Sequence, residues 1–255
     1  MVIKNSLSKS PIVLLFCTFV SIMLYFGCGG RTLIQTVDKQ VSAHIEEAFL
    51  TEKKSLETMS SAAFWHGSQG QHWAIATLED SDVLVVYDAI KGIIIKRIGK
   101  PGTKTGEFKN PIDLEVVEDL IFVLDSGNHR VQVLKLPDFT PFGIVGSERL
   151  KNPSKLTIYF IEPGCYYLYV ADSYEQADDK TVNILRYSIA TALVSVSSNY
   201  LQTFGYSPDA GYLRNVESLT VDQAHKNLII VEKETAQKVI KQYTLDGEFT
   251  GKRIE

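Results

Sequence analysis

Pairs of short apolar segments joined by a polar turn recur four times along the chain. Apolar runs and strict alternation of apolar with polar residues are both typical of β-strands. In the second unit, for example, Val131 and Val133 alternate with the polar Gln132. The four units are Trp73–Tyr87, Leu120–Leu134, Tyr167–Tyr187 and Leu228–Tyr243, and their turns begin at Glu79, Asp125, Asp172 and Glu232. The pattern predicts an all-β protein built from antiparallel hairpins.

A further apolar segment ending at a glycine follows each of the first three units. These segments are Ile93–Gly99, Pro141–Gly146 and Leu201–Gly205, and each is predicted to be an outer strand. Units of several short strands that recur every 40 to 60 residues or so are typical of β-propellers. An ordinary β-sandwich is the alternative interpretation, and the repetition favours the propeller.

The best-defined unit runs from Gly106 to Leu134, with the turn Asp125-Ser126-Gly127-Asn128-His129-Arg130. This stretch resembles an NHL repeat, which forms one propeller blade. The resemblance implies a buried polar cluster at the turn, so His129 is interpreted as structural.

The length of the chain bears on the number of blades. A six-bladed ring of the NHL type needs about 270 residues, whereas residues 60–255 have room for about four blades. The final segment, Leu245–Gly251, is predicted to be the turn and exit strand of a last blade that is unfinished, because nothing follows it. Either the ring is a natural four-bladed one or the gene is shortened, and we favour the shortened gene.

The N-terminal residues have the pattern of an export signal. Lys4 and Lys9 precede an apolar run, Pro11–Gly27, and Cys28 follows directly. A basic start, a short apolar core and a small residue before the cleavage point are typical of signal peptides, and Cys28 at this place resembles the lipidated cysteine of bacterial lipoproteins. We expect a signal peptide at 1–27 and an exported, membrane-anchored lipoprotein of the cell envelope. An uncleaved membrane anchor is the alternative.

Residues 28–59 are interpreted as a tether before the propeller at 60–255. Apolar residues recur there at every fourth position, which favours a helix, although a ring-closing strand is the alternative. These residues are Leu33, Val37, Val41, Ile45 and Phe49.

Composition excludes some functions. The formal net charge of −4 argues against nucleic-acid binding, which favours a basic surface. The five histidines show no zinc-ligand spacing, and a mature chain beginning at Cys28 keeps only Cys165 as a further thiol, so no internal disulfide is expected once Cys28 is lipidated.

Carboxylates form the most plausible ligand set. Glu217 begins a predicted innermost strand, and Glu232 and Glu234 end the next strand; further acids lie at Asp172, Glu175, Asp178 and Asp179. Carboxylates that converge at the mouth of a central channel could bind calcium. Solvated turn residues are the alternative interpretation.

Four segments resemble the β-propeller phytases: Ser60–Trp65, Thr77–Tyr87, Asn152–Tyr159 and Val216–Glu234. The resemblance implies a six-bladed propeller that hydrolyses phosphomonoesters with calcium. It also implies that Glu217, Glu232 and Glu234 would bind the metal and Arg130 the phosphate.

The chain departs from that family at charged positions. Ser60 and Ser61 replace acids, Glu79 and Asp80 stand where a lysine is expected, and Lys233 replaces an acid. We therefore predict a binding or scaffold module with a degraded catalytic site, whose partner is a protein or a phosphorylated small molecule. The alternative is a calcium-dependent 3-phytase-like phosphomonoester hydrolase.

The anchor can be tested at Cys28. Replacing Cys28 with Ser removes the thiol that would carry the lipid, so the protein should leave the membrane fraction or retain its signal peptide. Cell fractionation with mass spectrometry of the N-terminus measures both. Membrane attachment that persists in this variant after the signal is removed would refute the lipoprotein interpretation.

Overall fold

The computed structural model describes residues 58–176, 179–206, 211–234 and 237–254. All of them belong to one compact unit, Glu47–Glu255. They form sixteen strands in four antiparallel sheets of four strands each, and each sheet is one blade. The predicted all-β propeller with about four blades is therefore confirmed.

Each blade is a simple meander in which consecutive strands pair. Blade 1 contains β1 (Met59–His66), β2 (His72–Leu78), β3 (Val83–Asp88) and β4 (Ile94–Ile98); blade 2 contains β5 (Pro111–Val117), β6 (Leu120–Asp125), β7 (Arg130–Lys135) and β8 (Thr140–Val145). Blade 3 contains β9 (Pro153–Glu162), β10 (Cys165–Gln176), β11 (Asp179–Thr191) and β12 (Val196–Phe204); blade 4 contains β13 (Val216–Asp222), β14 (Asn227–Glu234), β15 (Gln237–Thr244) and β16 (Phe249–Ile254). The predicted hairpins form the two middle strands of each blade.

The prediction that the last blade is unfinished is wrong. The chain reverses after Thr244, where the Gly247 N–H donates to the Thr244 carbonyl (3.0 Å) and the Thr244 N–H donates to the Glu248 carbonyl (2.8 Å). Gly247 provides the positive φ of 80° that this reversal requires. The returning strand β16 then pairs with β15, with Phe249 opposite Tyr243 and Ile254 opposite Ile240.

The polar turns between the second and third strands of blades 1 and 2 have a common backbone. A 3₁₀ turn is followed by one left-handed residue, Asp82 in blade 1 and His129 in blade 2, both at φ 55°. Gly127 in this turn lies against Lys109, since a Cβ at Gly127 would be 2.8 Å from the Lys109 carbonyl oxygen. A side chain at position 127 would therefore collide with the loop that enters the blade.

Neighbouring blades pack face to face through three apolar clusters. Blades 1 and 2 enclose Trp65 and Ile121, blades 2 and 3 enclose Phe122 and Leu168, and blades 3 and 4 enclose Tyr169 with other side chains that include Leu219 and Tyr243. The innermost strands contact one another in chain order, β1 with β5, β5 with β9 and β9 with β13. The core of this protein is thus a series of layers between blades.

The up-and-down path of each blade sorts its connections onto two sides. One side bears the turns between second and third strands together with the loops that enter β5, β9 and β13, namely residues 99–110, 146–152 and 205–215, of which 207–210 are not described. We call this side the entry face. The opposite side bears the remaining hairpin turns.

The predicted signal peptide, Cys28 and nearly all of the tether at 28–59 lie outside the described residues. No helix in the described ranges is long and apolar enough to cross a membrane.

Candidate functional site

Three buried carboxylates occupy equivalent places in blades 2, 3 and 4. Asp125 lies opposite Pro111, Asp172 opposite Pro153 and Glu232 opposite Val216, each beside the first residue of its blade's innermost strand. All three residues are fully buried. The repeated placement indicates a shared role.

Each of these carboxylates accepts backbone hydrogen bonds from the loop that enters its own blade. Asp125 accepts from the Lys109 N–H at 2.7 Å, and Glu232 accepts from the Arg214 N–H at 3.1 Å. Asp172 accepts from the N–H groups of Lys151 and Asn152, at 3.0 Å and 2.6 Å. The carboxylates satisfy N–H groups that the sheet does not pair, and so they fix the start of the innermost strand in blades 2, 3 and 4.

Arg130 is committed to the cluster around Asp125. Its Nε donates to Asp125 at 2.8 Å, and its two terminal nitrogens donate to the carbonyls of Thr103, Lys104 and Glu107 at 2.7 to 3.0 Å. The residue is only 7% exposed. The guanidinium therefore holds the loop between blades 1 and 2, and its predicted phosphate contact stays a prediction that would compete with these bonds.

Two of the predicted calcium ligands, Glu217 and Glu232, each form an ion pair with a lysine. Glu217 lies 2.7 Å from the Nζ of Lys238, and this hydrogen bond holds the pKa of Glu217 below its usual range. Glu232 pairs with the buried ammonium group of Lys241. The side chain of Glu234 lies outside the described part of the structure. Within the described ranges no three His, Cys, Asp or Glu side chains are grouped to hold a metal ion, and the calcium assignment stays a prediction.

The sequence analysis missed two carboxylates on the innermost strand of blade 2. Asp113 accepts a hydrogen bond from the Leu156 N–H at 2.9 Å, and Glu115 accepts one from the Ile158 N–H at 2.9 Å. Both donors belong to β9, the edge strand of blade 3, which pairs with β10 on one side and with no strand on the other. An unpaired edge is costly to leave unsatisfied, and these side chains satisfy it. The available signal was the pair of acids at alternating positions, 113 and 115, among the apolar residues Ile112, Leu114 and Val116.

Burial changes the titration of both acids. Removal from water raises the pKa of Asp113 and raises the pKa of Glu115 to about 7, and the nearby Asp113 charge adds to the effect on Glu115. The Thr157 hydroxyl and the Ile158 N–H oppose the shift at Glu115 by stabilising its charged form. The inner edge of blade 2 therefore exchanges a proton close to neutral pH.

Basic side chains stand at three equivalent positions on the entry face. The residues are Lys109, Lys151 and Arg214, whose N–H groups bind the buried carboxylates described above, and all three are exposed. Each precedes an asparagine whose carbonyl accepts a backbone bond from the following turn: Asn110 from Ser126, Asn152 from Ser173 and Asn215 from Lys233, at 2.9 to 3.2 Å. Hydrogen bonds therefore hold the N–H of each basic residue and the carbonyl of the asparagine that follows it, while the basic side chain is exposed to solvent.

Comparison with known families supports the repeat. The NHL repeat model matches residues 108–134, which cover the end of the entry loop, β5, β6, the polar turn and most of β7. No curated protein sequence matches the chain.

Solved structures share the fold at low identity. Hydrazine synthase of Kuenenia stuttgartiensis aligns with a TM-score of 0.53 at 13% identity, over 83% of this chain and 52% of its own. A putative 6-phosphogluconolactonase from Bacteroides uniformis aligns with a TM-score of 0.55 at 12% identity, over 78% of this chain and 55% of its own. A chain of a nidogen/laminin complex aligns with a TM-score of 0.53 at 16% identity, over 77% of this chain and 64% of its own. The chain spans about half the length of the first two, and at these identities the likeness establishes the fold alone. The protein is a β-propeller whose second blade matches the NHL repeat.

A substitution at Asp125 tests how much a buried carboxylate that binds an entry loop contributes to the stability of the fold. Asn at this position keeps an acceptor for the Lys109 N–H but leaves the buried Arg130 without its counter-charge. Loss of one partner of a buried ion pair costs about 3 to 5 kcal/mol, so urea unfolding of Asp125→Asn should show a loss of that order. Asp80→Asn, at an exposed acid in the corresponding turn of blade 1, should change stability by less than about 0.5 kcal/mol. Equal stabilities of the two variants would contradict the role of Asp125.

Glu115 provides a pH test. A carboxyl whose pKa is raised on folding binds more protons in the native state, so its contribution to stability falls as pH rises from about 4.5 to about 7. Glu115→Gln mimics the protonated form. The melting temperature of Glu115→Gln minus that of the parent should therefore increase from pH 5 to pH 8. The same difference for the exposed control Glu148→Gln should stay constant. A constant difference across this range would show that Glu115 does not titrate there.

Proposed function

We propose that this protein is a lipid-anchored binding module of the bacterial cell envelope that holds an anionic, phosphate-bearing ligand on its entry face without hydrolysing it. The observation that carries the proposal is the recurrence of an exposed basic side chain at Lys109, Lys151 and Arg214. The NHL-type propeller fold suggests a binding or scaffold role, since such folds are rigid supports whose loops carry function.

Backbone anchoring makes these side chains suited to binding. Their N–H groups are fixed at 2.7 to 3.1 Å from buried carboxylates, so the Cα positions do not have to be ordered when a ligand arrives. Binding to pre-organised groups avoids much of the ordering cost of association. No described carboxylate forms an ion pair with any of the three, which leaves their charges available to a ligand.

Magnitudes favour a ligand with several phosphates. One exposed ion pair contributes roughly 0.2 to 1 kcal/mol, which is too little to hold a monophosphate at useful concentrations. Three basic groups that bind one polyanion add their contributions within a single binding event. A multiply phosphorylated small molecule is therefore the class of ligand that we propose.

The candidate catalytic residues form ion pairs within the protein, and this supports binding without turnover. Arg130 and Glu232 are buried and pair with Asp125 and Lys241. Lys233 places an exposed cation where the resemblance to phytases expects an acid. Hydrolysis assisted by calcium needs several converging carboxylates together with bound water, and the ion pairs of Glu217 and Glu232 oppose such a site.

Phytate is the probe for this proposal. Isothermal titration calorimetry, in the presence of a calcium chelator, should show binding that weakens as salt is added. Reversal of the three charges, Lys109→Glu with Lys151→Glu and Arg214→Glu, should lower the affinity at least about tenfold, which corresponds to 1.4 kcal/mol. A variant with the same charge change, Lys91→Glu with Lys226→Glu and Lys252→Glu, should bind like the parent, because these lysines lie outside the entry face.

Phosphate release is measured in parallel, with and without calcium, and none is expected. Absence of binding, or equal weakening in both charge-reversal variants, would refute the entry face as the site. Calcium-dependent phosphate release that is lost in Glu217→Ala would replace the proposal with the phosphomonoester hydrolase.

A further inference from the structure

Two histidines meet at the end of the first hairpin of blade 1. His66, the last residue of β1, lies opposite His72, the first residue of β2. Their Nδ1 atoms are 2.8 Å apart, their ring centroids are 5.0 Å apart, and the contact is exposed to solvent. The turn that joins them, residues 67–71, is on the side of the protein opposite the entry face. The pair is therefore separate from the phosphate-binding site proposed above.

The turn between the histidines is held by its own hydrogen bonds. The Gly67 N–H donates to the Gln71 carbonyl at 2.9 Å, and the Gly70 N–H donates to the Gly67 carbonyl at 3.1 Å. Gly70 has the positive φ of 82° that this turn requires. These bonds fix the separation of the two strands at the point where the imidazoles meet.

A neighbouring pair of tryptophans fixes the orientation of the same two strands. Trp65 lies opposite Trp73 with the ring centroids 4.8 Å apart, and both rings pack in the cluster between blades 1 and 2. Side chains alternate between the two faces of a strand. The tryptophans therefore pack one face of the hairpin against blade 2, and the two histidines lie together on the other face.

The hydrogen bond between the rings shows where their Nδ1 atoms point. When both imidazoles are neutral, one Nδ1–H donates and the other Nδ1 accepts. A metal ion could take the place of the shared proton and bind the lone pairs of both Nδ1 atoms. The proton of the donor ring would then pass through water to its own Nε2, so both imidazoles stay neutral and no net proton is released.

The distance between the two nitrogens favours one coordination geometry. With metal–nitrogen bonds of about 2.0 Å, ligands at a right angle are about 2.8 Å apart, whereas a tetrahedral angle needs about 3.3 Å. The observed 2.8 Å corresponds to adjacent positions around a square-planar or tetragonal ion, the geometry typical of Cu(II) and Ni(II). Of the divalent first-row metals, Cu(II) also binds a given set of nitrogen ligands most tightly.

A nearby carboxylate adds a favourable charge. The pKa of Asp88 lies below its usual range, chiefly because its carboxylate accepts a hydrogen bond from the Lys91 N–H, and a positive charge on His72 contributes to the same shift. Asp88 and His72 are thus close enough to interact electrostatically. The carboxylate would also stabilise a cation bound by His72.

We propose that His66 and His72 form a binding site for a divalent transition metal, held by both Nδ1 atoms, and that Cu(II) is the ion that fits it best. Once one imidazole has bound the ion, the second binds it within the same molecule, so the pair should bind more tightly than a single histidine. Water would occupy the remaining coordination positions. The bound ion would join β1 to β2 and stabilise the folded state.

Copper binding by the full chain, in non-ionic detergent and a non-coordinating buffer, tests the proposal. With one equivalent of Cu(II), electron paramagnetic resonance should show a tetragonal signal split by two equivalent nitrogens. Loss of a group that only supports a ligand lowers metal affinity roughly 10- to 100-fold. Equilibrium dialysis of His66→Gln and of His72→Gln should therefore show an affinity at least about tenfold lower, and the two-nitrogen splitting should disappear. The contact is exposed, so the melting curves should stay close to that of the parent.

The matched control is His225→Gln, which removes an exposed histidine from another hairpin on the same side of the protein. The Nδ1 of His225 lies 2.7 Å from a carboxylate oxygen of Asp222 and has no second imidazole in that contact, so this variant should bind Cu(II) like the parent. Absence of saturable Cu(II) binding, a signal without two nitrogens, or equal loss in the control would overturn the proposal. Displacement of the copper by an equal concentration of Zn(II) would overturn it as well.

The two proposals fail independently. Phytate binding, measured without copper, should be unchanged in His66→Gln and His72→Gln, because both residues lie opposite the entry face. A loss of phytate binding in these variants would show that the two sites are not separate.

Discussion

The hydrogen bond between a buried carboxylate and the loop entering its blade is the interaction on which the rest of this structure depends. A propeller blade begins at its innermost strand, and the loop before that strand carries N–H groups that no neighbouring strand can pair. Asp125, Asp172 and Glu232 accept those bonds from inside the protein. A buried charge is tolerated only when it is well paired. Asp125 and Glu232 have Arg130 and Lys241 as partners in addition to the N–H groups. Asp172 accepts from two N–H groups, and burial raises its pKa.

This constraint also shapes the surface. Because the carboxylates fix the backbone of the entry loops, the side chains of Lys109, Lys151 and Arg214 start from equivalent anchored positions and stay exposed. The buried interaction stabilises the fold, while the basic residue beside it remains available for a partner. One repeated sequence unit can therefore vary its exposed residue without loss of the blade.

A second set of side-chain hydrogen bonds joins the innermost strands of blades 2 and 3. Asp113 and Glu115 accept hydrogen bonds from the edge strand β9, which satisfies that edge but removes both carboxyl groups from water. Burial consequently raises the pKa of each. Equivalent positions in blade 3 hold Lys155 and Thr157, and those in blade 4 hold Ser218 and Thr220, so neither of these blades repeats the paired acids of blade 2. Sequence repetition revealed the blades, but it did not reveal this difference between them.

The sequence by itself determined the blades, because strand alternation and turn residues are local signals. The polar turn at Asp125–Arg130 and the apolar pairs around it defined blade 2, and the same reasoning placed the middle strands of the other blades. The turn and exit strand of blade 4 were predicted at Leu245–Gly251, but the extension of this strand to Ile254 was not, since Lys252 and Arg253 leave little apolar pattern to detect. Only the tertiary structure decided which acids are buried. Glu232 appeared as a candidate metal ligand, but its carboxylate meets the Arg214 N–H and Lys241, contacts between residues 9 or more positions apart. Burial and pairing depend on such long-range neighbours, and no local pattern encodes them.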